Sequence, residues 1–92
     1  MIDSRELLED PPRILGLLCS ALEIPFTDNL LSWPPGPRAT DGIWADHWYK
    51  EVMITTSFGP YRPKSDPIPD QLGDIFARCK EIYQELFEYR LR

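Results

Sequence analysis

Basic residues are scarce in this 92-residue chain, which carries 10 lysines and arginines against 15 aspartates and glutamates. The net charge is −5 at pH 7, and the basic residues form no cluster along the sequence. Proteins that bind nucleic acid or an anionic membrane surface generally present a basic patch. We therefore expect neither nucleic acid nor a membrane among the partners of this chain.

Long apolar runs are missing as well. A membrane-spanning helix needs about 20 consecutive, mainly apolar residues, and no apolar run in the chain approaches that length. The opening sequence "MIDSRELLED" also lacks the charged-then-apolar layout of a secretory signal peptide. We therefore predict a cytoplasmic protein.

Cysteine and histidine are nearly absent, with two and one copies respectively. The spacing of Cys19 and Cys79 matches no zinc or redox motif, and each lies in a helix-like apolar pattern. We interpret both as reduced core thiols, with a disulfide or a reactive thiol as the alternative. His47 lies one helical turn from Trp44 and from Glu51, which favours a structural hydrogen bond, with an acid–base role as the alternative. No metal site is expected.

The common local signatures of enzymes are missing too. The chain contains no GxxxxGK[ST], GxGxxG, GxSxG or HExxH, which mark phosphate-binding loops, hydrolase nucleophiles and zinc sites. The residues alone therefore give no catalytic assignment.

What the sequence does contain predicts a mostly α fold in one small domain over residues 1–92. Residues 1–31 form N-terminal helices, and residues 32–68 form a loop rich in proline and tryptophan with a helix at about 43–55. Residues 69–92 form a C-terminal amphipathic helix, because apolar residues recur there every three or four positions. The chain thus has four helical segments and a Pro/aromatic-rich loop.

Helix starts are marked by local signals. Asp3 with Glu6 three residues later resembles a capping box, and Asp10 precedes Pro11, a favoured first helical residue. Asp41 is the expected cap of the helix at 43–55.

The middle of the chain leaves two interpretations open. Tyr49, Tyr61 and Arg62 could line a groove, or the aromatic residues between Trp33 and Tyr61 could form a secondary core under the loop. Arg38 is either an anion-binding residue or an ordinary exposed loop arginine.

Two stretches resemble a known family. "IDSRELLEDPPRILGLLCSALEIPF" and "LLSWPPGPRATDGIWADHWYKEV…TTSF" are similar to the C-terminal part of sulfotransferase-like P-loop proteins, a group that includes the sulfotransferase-like half of branched-chain aminotransferase-like proteins. The resemblance implies the C-terminal part of an α/β P-loop fold, here without its parallel sheet.

The same resemblance implies a cofactor site. The family binds 3′-phosphoadenosine 5′-phosphosulfate, and its 3′-phosphate loop reads R-K-G-x-x-G-D-W. When that pattern is aligned through its tryptophan, Trp44 and Gly42 match, Arg38 falls on the lysine and Ala39 on the first glycine. These four residues are the predicted cofactor-binding residues, although the arginine, the first glycine and the aspartate of the pattern are replaced by Pro37, Ala39 and Ile43.

The functional expectation follows from the family pattern. The family's 5′-phosphosulfate loop and catalytic base lie upstream and have no counterpart here, so we expect a sulfotransferase-like segment that is catalytically incomplete alone. One alternative is a non-enzymatic helical interaction module that uses its aromatic middle to dock on a partner or on itself. A second is a complementing subunit that pairs with an upstream, P-loop-bearing half.

Overall fold

The computed structural model describes residues 1–92 and confirms the mostly α class, with about half of the residues in helices. No strand forms, and a single antiparallel bridge joins Ser32 to Ser57. Two 3₁₀ turns cover Asp28–Leu30 and Asp70–Leu72. The α-helices are α1 (Ser4–Glu9), α2 (Pro11–Ala21), α3 (Ala45–Trp48), α4 (Lys50–Ile54) and α5 (Gly73–Phe87).

The N-terminal helices begin at the predicted caps. Asp3 Oδ1 accepts hydrogen bonds from the backbone N–H groups of Arg5 (3.0 Å) and Glu6 (3.1 Å). Asp10 Oδ1 accepts from the N–H of Arg13 at 3.2 Å and caps α2. The capping box is only half formed, because the Glu6 carboxylate accepts a hydrogen bond from Arg90 instead of returning one to Asp3.

The segment at 43–55 forms two short helices rather than one. Tyr49 separates them with φ −100° and ψ 13°, outside the helical range. Asp41 does not cap α3, because its carboxylate accepts the N–H of Arg38 at 2.8 Å. The residue at the N-cap position of α3 is Trp44, which makes no side-chain capping bond.

Trp33 ties the proline-rich loop to the residues that follow α4. Its backbone N–H donates to the carbonyl of Thr56 at 2.9 Å, and its indole Nε1 donates to Thr55 Oγ1 at 3.2 Å. The indole ring also meets the edge of Phe58, with ring centres 5.4 Å apart. A further backbone bond, from Gly36 N–H to the carbonyl of Met53 at 2.7 Å, completes this attachment.

Helix α5 and the residues after it contact the N-terminal residues of the chain. Tyr83 on α5 donates its hydroxyl hydrogen bond to Asp3, and Leu91 N–H donates to the carbonyl of Met1 at 2.9 Å. No helix of the protein has both the length and the apolar character required to cross a bilayer.

The fold buries very little. Only Ile14, Cys19, Ala45 and Asp3 are buried, and the chain exposes 7905 Å². A compact monomer of this mass exposes about 5,500 Å², so about 2,400 Å² more surface is accessible here than in a compact monomer. The radius of gyration of 16.7 Å likewise exceeds the value of about 12 Å expected for a compact chain of this length.

The two thiols differ in their surroundings. Both cysteines are free, but only Cys19 is buried, whereas Cys79 on α5 is exposed. The prediction of two core thiols is therefore wrong for Cys79, because nothing in the chain covers the apolar face of α5 on which it lies.

Candidate anion-binding site

The four predicted cofactor-binding residues lie together on an exposed loop and helix start. Arg38, Ala39 and Gly42 are exposed, and Trp44 is 60% exposed. The guanidinium Nη2 of Arg38 is 3.5 Å from the carbonyl oxygen of Pro34. No concave pocket is lined by any of these four side chains.

Asp41 changes the electrostatics of this loop. Its carboxylate accepts the Arg38 N–H at 2.8 Å, and its own N–H donates to the Arg38 carbonyl at 3.0 Å. A fixed negative charge therefore lies beside the arginine that an anion would need. The assignment of a 3′-phosphate to this loop stays a prediction.

The tryptophans of the same region form no enclosed pocket. Trp44 and Trp48 lie with ring centres 5.9 Å apart at an angle of 32°, and Trp48 is 76% exposed. His47 between them is exposed and makes no side-chain hydrogen bond, so the expected structural bond at His47 is wrong. Of the secondary core that one interpretation placed in the aromatic middle, the structure shows one edge contact between Trp33 and Phe58, and both side chains are only partly buried.

A different part of the surface is both concave and basic. An open pocket of about 400 Å³ lies between α1 and the extended segment "GPYRPK", and its lining consists of Ser4, Leu8, Tyr61, Arg62 and Lys64. We call it the 61–64 pocket. It is the larger of the two polar pockets in the molecule.

Local sequence explains the shape of this segment. Pro60 and Pro63 fix their own φ angles and favour extended conformations in the residues that precede them, and residues 58–69 contain no helix or turn. Arg5 on α1 contacts the Tyr61 side of the pocket, and its guanidinium carbon lies 5.5 Å from the centre of the Tyr61 ring. Arg5 is itself paired with Glu9 at 2.8 Å.

Charge makes the 61–64 pocket suitable for an anion. Five of the ten basic side chains, all of them arginines, form ion pairs with carboxylates, and Arg62 and Lys64 are among the five that form none. Two unpaired cations thus share a pocket with the hydroxyl-bearing residues Ser4 and Tyr61. Guanidinium, ammonium and hydroxyl groups are the donors that proteins use to bind phosphate and sulfate oxygens.

The other polar pocket, of about 330 Å³, has the opposite character. Asp3, Glu6 and Glu9 line it together with Arg5, Tyr83 and Phe87. The Tyr83 hydrogen bond lowers the pKa of Asp3, and the same bond raises the pKa of Tyr83. Each of these carboxylates accepts a hydrogen bond from a side chain of the same chain. The pocket therefore lies at the contact between α1 and α5 and offers no free cation to an anion. No group of three or more His, Cys, Asp or Glu side chains is arranged to hold a metal ion.

Sequence reasoning identified part of the 61–64 pocket. One of the two open interpretations placed Tyr61 and Arg62 in a groove with Tyr49, but Tyr49 is not among the residues that line the pocket. Ser4 and Lys64 were missed, because about 60 positions separate α1 from the segment at 61–64 and no local pattern joins them. The position of Lys64 two residues after Arg62, with Pro63 between them, is the signal that could have drawn attention to Lys64.

Comparison with known proteins gives one consistent family. A model of the sulfotransferase domain matches residues 1–86. Branched-chain-amino-acid aminotransferase-like proteins 1 and 2 of Arabidopsis thaliana are 38% and 36% identical to this chain over 86 residues. Each match covers 94% of the chain but only 16% and 15% of the respective relative. No solved structure matches.

Proposed function

Because this chain belongs to the sulfotransferase domain family, we propose that it supplies the part of such a domain that binds the 3′-phosphate of 3′-phosphoadenosine 5′-phosphosulfate. The family resemblance supports 3′-phosphoadenosine 5′-phosphosulfate as the cofactor. The basic lining of the 61–64 pocket supports that pocket as the place where the 3′-phosphate binds. The chain spans about 16% of the length of its first relative, so the activity of a whole protein of this kind is part of the proposal.

One observation carries the proposed position: Arg62 and Lys64 lie unpaired on one pocket in a chain of net charge −5. Five of the ten basic side chains form no ion pair, and Arg62 and Lys64 are the two of these five that share a pocket, which favours an external anion there. A phosphate dianion in this pocket would accept bonds from the guanidinium of Arg62 and the ammonium of Lys64, with Ser4 available as a third donor.

The loop of Arg38, Ala39, Gly42 and Trp44 is the second candidate for the same phosphate. The family resemblance favours it, since these residues align with the R-K-G-x-x-G-D-W pattern. The geometry favours it less, because the loop is not concave and Asp41 lies against Arg38. The two candidates differ in the cations involved, so substitution separates them.

We propose that these 92 residues bind the nucleotide without transferring its sulfuryl group. Transfer requires positioned charge around the moving group, and the chain has no GxxxxGK[ST] loop to cradle the 5′-phosphosulfate. The 2,400 Å² or so of surplus surface supports packing against further elements of an α/β P-loop domain, or against an upstream, P-loop-bearing half encoded separately. Two free thiols suit a reducing, cytoplasmic location.

The test is a titration of the 92-residue chain with adenosine 3′,5′-bisphosphate, followed by thermal melting and calorimetry. Ligand that binds the folded state raises the melting temperature, and the stabilisation grows with the logarithm of the ratio of free ligand concentration to Kd. Replacing Arg62 and Lys64 together by alanine should weaken binding by about tenfold or more, which corresponds to about 1.4 kcal/mol. We expect no sulfuryl transfer above the rate in buffer.

The control for the loss of two positive charges is the double replacement of Lys50 and Lys80 by alanine. Both lysines are exposed and unpaired and lie outside the pocket, so the control should bind like the parent chain. An equal loss of nucleotide affinity in both double variants would mean that net charge, and not the 61–64 pocket, determines binding. If Arg38→Ala alone weakened nucleotide binding, the phosphate site would lie in the loop of Arg38, Ala39, Gly42 and Trp44 instead.

A further inference from the structure

A third cation, Arg5, lies beside the 61–64 pocket without lining it. Its neighbour Ser4 lines the pocket, and so does Tyr61, whose ring centre lies 5.5 Å from the guanidinium carbon of Arg5. The side chain of Arg5 is 64% exposed, so packing does not fix the position of its guanidinium. Arg5 is therefore placed next to the two cations that do line the pocket.

The carboxylate of Glu9 neutralises Arg5 in the structure. Arg5 Nε donates to Glu9 Oε1 at 2.8 Å, one helical turn along α1, and the Glu9 side chain is 48% exposed. Exposed ion pairs of this kind contribute little to stability. The pair of Arg90 with Glu6 differs, because its side chains are only 15% and 22% exposed. Arg5 can thus leave its carboxylate at a small cost in free energy, and Arg90 cannot.

A phosphate dianion offers Arg5 a stronger partner than Glu9 does. A guanidinium binds phosphate through two parallel N–H···O bonds. Glu9 instead accepts one hydrogen bond from Arg5, through Nε, so the terminal nitrogens of this guanidinium remain available as donors. Two negative charges also attract a cation more strongly than the single charge of a carboxylate at the same distance. A dianion in the 61–64 pocket would therefore compete successfully for Arg5.

We propose that Arg5 is a further anion-binding residue of the 61–64 pocket and that Glu9 competes with the bound anion for it. When a phosphate dianion binds between Arg62 and Lys64, the guanidinium of Arg5 leaves Glu9, turns toward the Tyr61 side of the pocket and donates to the phosphate oxygens. Glu9 then faces solvent. The inference rests on the proposed nucleotide site, to which it adds one binding residue and one competing carboxylate.

The test is calorimetric titration of the 92-residue chain and its variants with adenosine 3′,5′-bisphosphate. Arg5→Ala should weaken binding by about fivefold or more. Glu9→Gln should strengthen binding by about twofold, because Arg5 then has no charged competitor. The opposite signs are decisive, since a purely structural ion pair would weaken binding when it is broken from either side. Arg5→Lys retains the charge and should recover part of the affinity.

A second exposed ion pair supplies the controls. Arg78 and Glu81 on α5 form a pair at 2.9 Å with similarly exposed side chains, and neither residue lines the pocket. Arg78→Ala and Glu81→Gln change the net charge as the Arg5 and Glu9 variants do, so both should bind like the parent chain. When Arg5 is already alanine, Glu9→Gln should strengthen binding no more than Glu81→Gln does. Thermal melting confirms that each variant is folded.

The outcomes separate this inference from the proposed function. If the parent chain does not bind the nucleotide, or if replacing Arg62 and Lys64 leaves its affinity unchanged, the site in the pocket is wrong and the role of Arg5 with it. If binding depends on Arg62 and Lys64 but Arg5→Ala has no effect, or if Glu9→Gln weakens binding, only the competition between Glu9 and the anion is overturned.

Discussion

Arg90 and Glu6 form a partly buried ion pair that joins the end of the chain to helix α1, with Arg90 Nε 2.9 Å from Glu6 Oε1. The two side chains are 15% and 22% exposed, far less than those of the other ion pairs. Arg90 also donates to the Phe87 carbonyl at 2.9 Å and lies over the Phe87 ring, 3.6 Å from its centre. One arginine therefore fixes the turn after α5 and its contact with α1.

Removing this arginine should destabilise the fold. Arg90→Ala leaves the partly buried Glu6 without its partner, and we expect a loss of about 1–2 kcal/mol in the free energy of unfolding, as for a charged hydrogen bond. Arg92→Ala is the matched control, because Arg92 is 58% exposed and lies 3.9 Å from Glu88. Exposed pairs of this kind contribute less than about 1 kcal/mol. Urea unfolding followed by circular dichroism measures both, and equal effects would contradict the role given to Arg90.

Acidification should release the contact between α1 and α5. The hydrogen bond from Tyr83, followed by those from two backbone N–H groups, lowers the pKa of Asp3 despite its burial. A lowered pKa in the folded state means that ionised Asp3 stabilises the fold above the unfolded value of about 3.9. That contribution is lost as the pH falls through the lower, folded pKa. Asp3→Asn should remove this part of the acid dependence in melting experiments, whereas Asp66→Asn, at an exposed loop position, should retain it.

The same bond predicts an effect at alkaline pH with the opposite sign. Asp3 raises the pKa of Tyr83, so the neutral tyrosine stabilises the fold fully below the unfolded value of about 10. Stability is lost as the pH rises through the higher, folded pKa. In an absorbance titration of tyrosinate, Tyr83→Phe should remove the component that ionises last. Tyr89→Phe, which removes a 79% exposed tyrosine, should leave that component in place; its disappearance there would exclude Tyr83 as the source.

Gly36 should be the least replaceable glycine. Its φ of +100° is unfavourable for any residue with a side chain, whereas Gly59 has no such backbone conformation. Gly36→Ala should therefore cost about 1 kcal/mol or more, and Gly59→Ala should be neutral or slightly stabilising. Both positions have open space around them, so thermal melting compares backbone conformation alone. A neutral Gly36→Ala would show that the loop before Arg38 adopts another conformation.

Local signals in the sequence predicted the parts of the fold that depend on neighbouring residues. Asp3 and Asp10 cap helices because each lies within three positions of the N–H groups it serves. The apolar spacing after Pro69 likewise predicted α5, and the quoted motifs predicted the family. The structure begins α5 at Gly73 because the residues before it form a 3₁₀ turn.

Features that depend on distant residues or on missing partners were not predictable in this way. The bond of Glu6 to Arg90 spans 84 positions, and it replaced the expected second half of the capping box. The 61–64 pocket likewise needs Ser4 beside Lys64. Cys79 illustrates the other limit, because periodicity identifies an apolar face but does not say whether the same chain covers it.

The most direct test of the proposed function is a two-dimensional ¹H–¹⁵N spectrum of the labelled chain during titration with adenosine 3′,5′-bisphosphate. We predict that the amide resonances of Ser4, Arg62 and Lys64 move together with one affinity, and that after replacement of Arg62 and Lys64 by alanine the movement requires ligand concentrations higher by about tenfold or more. Shifts confined to Arg38, Ala39, Gly42 and Trp44, or no shifts at all, would contradict a phosphate site in the 61–64 pocket.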